Sequence, residues 1–186
     1  MVSLIVLIGP PGAGKSTFAA ACGGTVVSTD AIRRQLYGGE SSTRCEPVAQ
    51  QLLRKKHICT DGLDAAQLAA LKESLCVDHV FDVARDMCCR LLAEGKNVIY
   101  DSTNFKRKYR RQLLEKTNGL YRRCDAYFLD IPLEVCLVRN AARQRREPED
   151  VIAEICACLD PPSYEEGFDN IYRVDESGRI SRIPNQ

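Results

Sequence analysis

The stretch "GPPGAGKST", Gly9 to Thr17, limits what this chain can fold into more than any other feature. Its spacing satisfies G-x-x-x-x-G-K-[ST] in full, and it follows directly on the apolar run Leu4, Ile5, Val6, Leu7 and Ile8. Gly9, Gly12 and Gly14 let the backbone turn tightly and aim its N–H groups inward at a phosphate. Lys15 can reach the β and γ phosphates, and Ser16 can place its hydroxyl on Mg²⁺. The apolar run reads as a buried parallel strand, and "STFAAAC" reads as a helix opening at the phosphates. The expected nucleotide-binding set is therefore Gly9, Pro10, Pro11, Gly12, Ala13, Gly14, Lys15, Ser16 and Thr17, with Ser16 as metal ligand.

Further strands and helices alternate down the chain. "TVVST" is a second strand, and Asp30 with "AIRRQLY" opens a helix stopped by Gly38 and Gly39. The chain is polar from Ser41 to about Thr60. "PVAQQLLRKKH" reads as a short helix, and the stretch from Asp64 to Gly95 as a long or broken one. "NVIYDSTN" is a third strand ending at Asp101, "KRKYRRQLLEK" a helix, "CDAYFLDIP" a fourth strand, and "LEVCLVRNAARQRR" a helix ended by Pro148. "PEDVIAEICACL" is one more helix, and "NIYRV" and "RISRI" flank "DESG" as a terminal hairpin. This alternation predicts an α/β fold of the P-loop NTPase type, with a five-stranded, mainly parallel sheet flanked by helices. Residues 1–186 are expected as a single domain, with a helical insertion over 44–77 and a lid over 139–150.

Charge is balanced, with 26 Lys+Arg against 25 Asp+Glu, so no global field marks a nucleic-acid or membrane partner. No apolar stretch has the length of a membrane span. The N-terminus runs straight into the phosphate loop without a basic, signal-like region, so the ten cysteines are expected as reduced thiols in a cytoplasmic protein. Cys22, Cys88, Cys136 and Cys156 fall on helical apolar stripes as core thiols. His57, Cys59, Cys76 and His79 have ligand types that could bind zinc, but they lie in helix-like sequence without knuckle glycines, so no zinc is expected there.

A phosphate loop alone does not separate a phosphotransferase from a nucleotide switch. An N-K-x-D stretch, the mark of GTP specificity, is absent. Phosphoryl transfer needs a group that accepts or positions the acceptor's proton, and positive charge over the γ phosphate. Asp30 and Arg33 lie three apart at the start of a helix and share a face, which suits a carboxylate on an acceptor hydroxyl and a guanidinium on a neighbouring anion. Arg139, Arg143, Arg145 and Arg146 crowd one short stretch, as a lid over a triphosphate would. "KRKYRR", Lys106 to Arg111, puts five positive charges in six residues, where the phosphates of a strand could lie. There is no stacking platform of interleaved aromatics to accompany it.

In their order, "LIGPPGAGKSTFA", "STDAIRR", "VIYDSTN", "FLDIPLEVCLVRN" and "PPSYEEGFDNIYRV" resemble the kinase domain of the polynucleotide 5′-kinase family and its single-domain bacterial relatives. The resemblance covers nearly the whole chain apart from about Arg44 to Val77. It implies that ATP and Mg²⁺ are held by Lys15 and Ser16, that Asp30 is the general base and that Arg33 contacts the acceptor's phosphate. It implies that Arg143 is the lid arginine on the γ phosphate. Arg139 and Asn140 match the family's R-N pair, and Asp101, Thr103 and Asn104 its D-x-T-N segment beside the acceptor. The implied acceptor is a 5′-hydroxyl of a polynucleotide or nucleotide. The alternatives are a small-molecule kinase acting on a sugar, antibiotic or nucleotide-sugar hydroxyl, and a non-catalytic ATP-gated binding module.

Overall fold

The computed structural model describes residues 1–38 and 42–185. Gly39 and Ser41, two positions used in the sequence reading, lie outside them. The chain divides into two compact units, one made of Met1–Val27 with Met87–Gln186 and the other of Ser28–Asp86.

The first unit carries the sheet. Its strands are β1 (Ser3–Ile8), β2 (Thr25–Ser28), β3 (Val98–Asp101), β4 (Arg123–Leu129), β5 (Asn170–Val174) and β6 (Ile180–Ile183), in the order β2-β3-β1-β4-β5-β6. β1 pairs in parallel with β3 (Val6 opposite Tyr100) and with β4 (Ile8 opposite Phe128), and β4 pairs in parallel with β5. β6 returns antiparallel on β5, with Ile171 opposite Ile183. The sheet therefore has six strands, where five were expected, because the second arm of the terminal hairpin continues it. Leu4, Val6, Leu7 and Ile8 of the central strand β1 are fully buried, as a strand covered on both faces requires. The helices of this unit are α1 (Lys15–Ala21), α5 (Arg107–Thr117), α6 (Leu133–Ala141), α7 (Glu149–Ala157) and a short 3₁₀ turn at Tyr164–Glu166.

The expected helix over residues 133–146 ends at Ala141. The buried Asn140 donates from Nδ2 to the Glu147 carbonyl at 2.8 Å and accepts the Glu147 N–H at Oδ1 at 3.0 Å. These two bonds draw the chain into a loop over residues 141–146 and stop the helix.

The second unit is helical, with α2 (Thr29–Tyr37), α3 (Ser42–Lys55) and most of α4 (Ala65–Ala93), the unit boundary falling within α4. Ser28 caps α2 by accepting the Ala31 N–H. Tyr37, 5% exposed, donates to the Cys76 carbonyl. Cys76 is bonded to Cys45, which corrects the expectation that all thiols are reduced. α3 and α4 bring the two Cα atoms to 6.4 Å, within bridging range. Of the four proposed zinc-type ligands, Cys76 is thus already engaged, and His57 sits in a turn with φ 51°, outside the helix expected for it. Cys88 and Cys136 are buried as expected, while Cys22 and Cys156 are half-buried. No described helix is long and apolar enough to cross a membrane.

Candidate active site

The loop after β1 packs so closely at Gly9 and Gly12 that neither has room for a side chain. Gly12 has φ 86°, and a Cβ added there would lie 2.4 Å from the Cys136 carbonyl oxygen of α6. Gly14, at φ 96°, is the left-handed residue from which α1 starts. Lys15 is 9% exposed, and its Nζ donates to the Gly9 carbonyl at 2.9 Å and the Pro10 carbonyl at 2.8 Å. The ammonium group is therefore held along the loop. Ser16 is exposed, and its Oγ donates to Asp101 Oδ2 at 2.8 Å.

Asp101 is the last residue of β3 and is 6% exposed. The residues after it tie β3 to the phosphate loop. The Gly9 N–H donates to the Thr103 carbonyl at 3.0 Å, and Asn104 Nδ2 donates to the Leu7 carbonyl at 2.7 Å. Asn104 adopts a left-handed φ of 49°, a conformation its short amide side chain tolerates. Arg139, near the end of α6, donates to the Ala13 carbonyl and to the Glu176 carbonyl, both at 3.3 Å. Arg143 is exposed on the 141–146 loop, and Arg145 pairs with Glu147 at 3.3 Å.

The first unit thus brings together Lys15, Ser16, Arg139 and the loop backbone, and adds Asp101. A hydroxyl and a carboxylate in contact, beside a glycine-rich loop, fit a hard cation between protein oxygens and phosphate. Asp30 and Arg33 lie on α2 in the other unit. Asp30 is exposed in the first helical turn, and Arg33 Nε is buried with no hydrogen-bond partner among the described residues.

The basic run Lys106–Arg111 differs most from its sequence reading. Arg110 is fully buried, and its Nε and Nη2 each donate to Glu166 at 2.7 Å. Its Nη1 also donates to the Asn104 and Asp160 carbonyls, both at 2.9 Å. Arg107 lies 3.6 Å from Glu165, and Lys106 lies 3.7 Å from Asp160. Lys108 and Arg111 are exposed. A run of charge in sequence has here become a bracket between two loops.

The family described as AAA domain matches residues 4–162. The chain belongs to this AAA domain family. No curated protein sequence matches it. Among solved structures, this AAA domain is similar to a sugar kinase from Janibacter sp. HTCC2649, with 19% identity over 94% of this chain and 86% of that one, and a TM-score of 0.59. A gluconokinase from Sinorhizobium meliloti 1021 matches with 19% identity over 93% of this chain and 82% of that one, and a TM-score of 0.53. A chain of the Pnkp1/Rnl/Hen1 RNA repair complex matches with 19% identity over 100% of this chain but 49% of its own length, and a TM-score of 0.55. The AAA domain described here thus shares its fold with these kinases.

Proposed function

We propose that this protein is an ATP-dependent phosphotransferase whose acceptor is the hydroxyl of a small molecule. The observation that carries the choice of acceptor is the ion pairing of the Lys106–Arg111 run. Three of its five cations lie against Asp160, Glu165 and Glu166, and Arg110 is wholly enclosed, so the run does not offer the row of open charges that a polynucleotide strand requires. A sugar kinase and a gluconokinase share the fold, so a small acceptor asks nothing new of it.

In this reading Lys15 grips the β and γ phosphates, and the loop amides cradle the triphosphate chain. Ser16 and Asp101 hold Mg²⁺, which when bound neutralises charge on the phosphates. Arg139 steadies the nucleotide side, and Arg143 approaches the γ phosphate from the lid. Asp30 receives the acceptor's hydroxyl proton as its oxygen bonds to the γ phosphorus, and the bond from that phosphorus to the departing ADP oxygen breaks. Arg33 orients Asp30 or an anionic part of the acceptor.

The test is transfer from labelled ATP to a panel of sugars, polyols, nucleosides and 5′-hydroxyl oligonucleotides. A small hydroxyl compound is expected to be labelled, with Asp30→Asn lowering turnover by roughly 10²- to 10⁴-fold while ADP binding persists. Efficient labelling of oligonucleotides alone, with a KM that climbs steeply with salt, would instead establish a polynucleotide kinase. ATP binding with no transfer to any acceptor would favour a nucleotide-gated binding module.

A further inference from the structure

The short turn after β3 meets the start of the phosphate loop, and a buried arginine grips that turn from the other side. Asn104 Nδ2 donates to the Leu7 carbonyl of β1 at 2.7 Å and to the Ser102 carbonyl at 3.3 Å. Beside it, the Thr103 carbonyl accepts the Gly9 N–H at 3.0 Å. The Asn104 backbone stands at φ 49°, a conformation that a residue other than glycine keeps where its surroundings fix it. Its side chain supplies one anchor. Its carbonyl supplies the other, by accepting Arg110 Nη1 at 2.9 Å.

Arg110 is fully buried, and all five N–H groups of its guanidinium have acceptors. Glu166 takes two of them, and the carbonyls of Asn104, Asp160 and Pro161 take the rest. A pair serving stability alone would need only the carboxylate. The three carbonyls set the guanidinium between two stretches of chain that Asp160 also ties together. Its N–H donates to the Phe105 carbonyl at 2.7 Å, and its Oδ2 accepts the Arg107 N–H at 3.1 Å. Every residue in this chain of bonds belongs to the sheet-bearing unit.

We propose that Arg110 is a positioning residue for the phosphate loop. Through the Asn104 carbonyl it fixes the turn over residues 101–104, and that turn sets the Gly9 amide on one side and Asp101, bonded to Ser16, on the other. Being fully enclosed, it acts without touching the nucleotide. This rests on the nucleotide side of the phosphotransferase reading above and adds to it a residue outside the site.

The experiment compares wild type with Arg110→Lys, Arg110→Met, the double variant Arg110→Met with Glu166→Met, and Leu113→Ala. Leu113 is a buried residue of the same helix, so its truncation lowers stability and leaves the guanidinium in place. Each protein is measured for urea unfolding, for Mg·ADP affinity by calorimetry, and for the position and exchange rate of the Gly9 amide proton by NMR. Arg110→Lys keeps the charge but not the planar set of donors. It should raise the Kd for Mg·ADP by about tenfold or more and shift the Gly9 resonance. The double variant should recover stability over Arg110→Met while its Kd stays raised, because neither methionine can donate to the Asn104 carbonyl. Leu113→Ala should lose stability and keep the wild-type Kd. If a single Arg110 variant does not fold, the double variant decides by itself. A double variant that binds Mg·ADP as wild type does overturns the proposal, as does a Leu113→Ala protein that loses as much affinity as Arg110→Lys, since affinity would then follow stability alone. Wild-type protein without affinity for Mg·ADP would sink the phosphotransferase reading, and this inference with it.

Discussion

Ser16 Oγ lies 2.8 Å from Asp101 Oδ2, joining the start of α1 to the end of β3 across 85 positions of sequence. A serine of the phosphate loop and a carboxylate from the neighbouring parallel strand are thereby in contact, and in the proposed function both would stand beside the cation of bound ATP. Asp101→Asn keeps the size and one acceptor oxygen but removes the charge. It should raise the Mg²⁺ concentration for half-maximal turnover by about 10- to 100-fold, with the fold retained. Titration of activity against Mg²⁺ checks this, and an unchanged midpoint would remove Asp101 from the metal's environment.

Gly12 tests the loop's shape. An alanine Cβ there would sit 2.4 Å from the Cys136 carbonyl oxygen, in a backbone conformation with φ 86°. Backbone cannot swing aside as a flexible side chain does, so Gly12→Ala should cost about 1–3 kcal/mol of stability and abolish ADP binding. At Gly14 a Cβ meets only the Arg139 guanidinium, at 3.8 Å. Gly14→Ala should therefore do less harm than Gly12→Ala, and equal losses in thermal unfolding would show that contact with α6 is not the cause.

Arg110 and Glu166 invite a double-mutant cycle. Both side chains are fully enclosed, so Arg110→Met takes the two-bond partner from the buried Glu166 carboxylate and leaves it only Arg107, 3.9 Å away, at a cost of up to about 3–5 kcal/mol. Replacing both residues with methionine removes the buried carboxylate as well, and the double variant should be more stable than Arg110→Met alone. Urea unfolding of the four proteins measures the coupling. A double variant whose loss equals the sum of the single losses would mean that the two charges do not depend on each other.

Alkaline pH should unfold the protein early. Burial pushes the Cys88 thiol up to about 12 and the Cys136 thiol up to about 11, from an ordinary value of 9.0. Burial also raises Tyr121 and Cys124. Above pH 9 the unfolded chain releases these thiol protons while the folded chain keeps them. The stabilisation is complete below pH 9 and is lost as pH rises toward 11 and 12, by up to about 1.4 kcal/mol per pH unit for each thiol. Unfolding curves at pH 8, 9 and 10 under reducing conditions should show this slope, and Cys88→Ala should flatten it.

The phosphate loop, the strand before it and the α/β alternation were legible because each is written in consecutive residues. The order of the strands was not, since β1 lies between β3 and β4 through crossovers that no local pattern records. The basic run misled for a related reason. Lys106, Arg107 and Arg110 look the same in sequence whether water or carboxylates surround them, and their partners Asp160, Glu165 and Glu166 stand more than fifty positions away. Asp101 was noticed as part of a motif, yet its contact with Ser16 depends on two strands lying side by side. Cys45 drew no attention because nothing in its neighbourhood points to Cys76, 31 residues on.

Asn140 and Glu147 close a ring around residues 141–146 with two hydrogen bonds between one side-chain amide and the backbone N–H and C=O of one residue. Arg143 stands inside that ring, while α6 and α7 continue from its two sides. Given the role proposed for Arg143, the number of residues between the two ends of that knot should set how far the arginine reaches, while the knot itself holds the ends of the segment together. Grafting a longer or shorter arginine-bearing segment between Asn140 and Glu147 should retune that reach and leave the scaffold's thermal unfolding as it was.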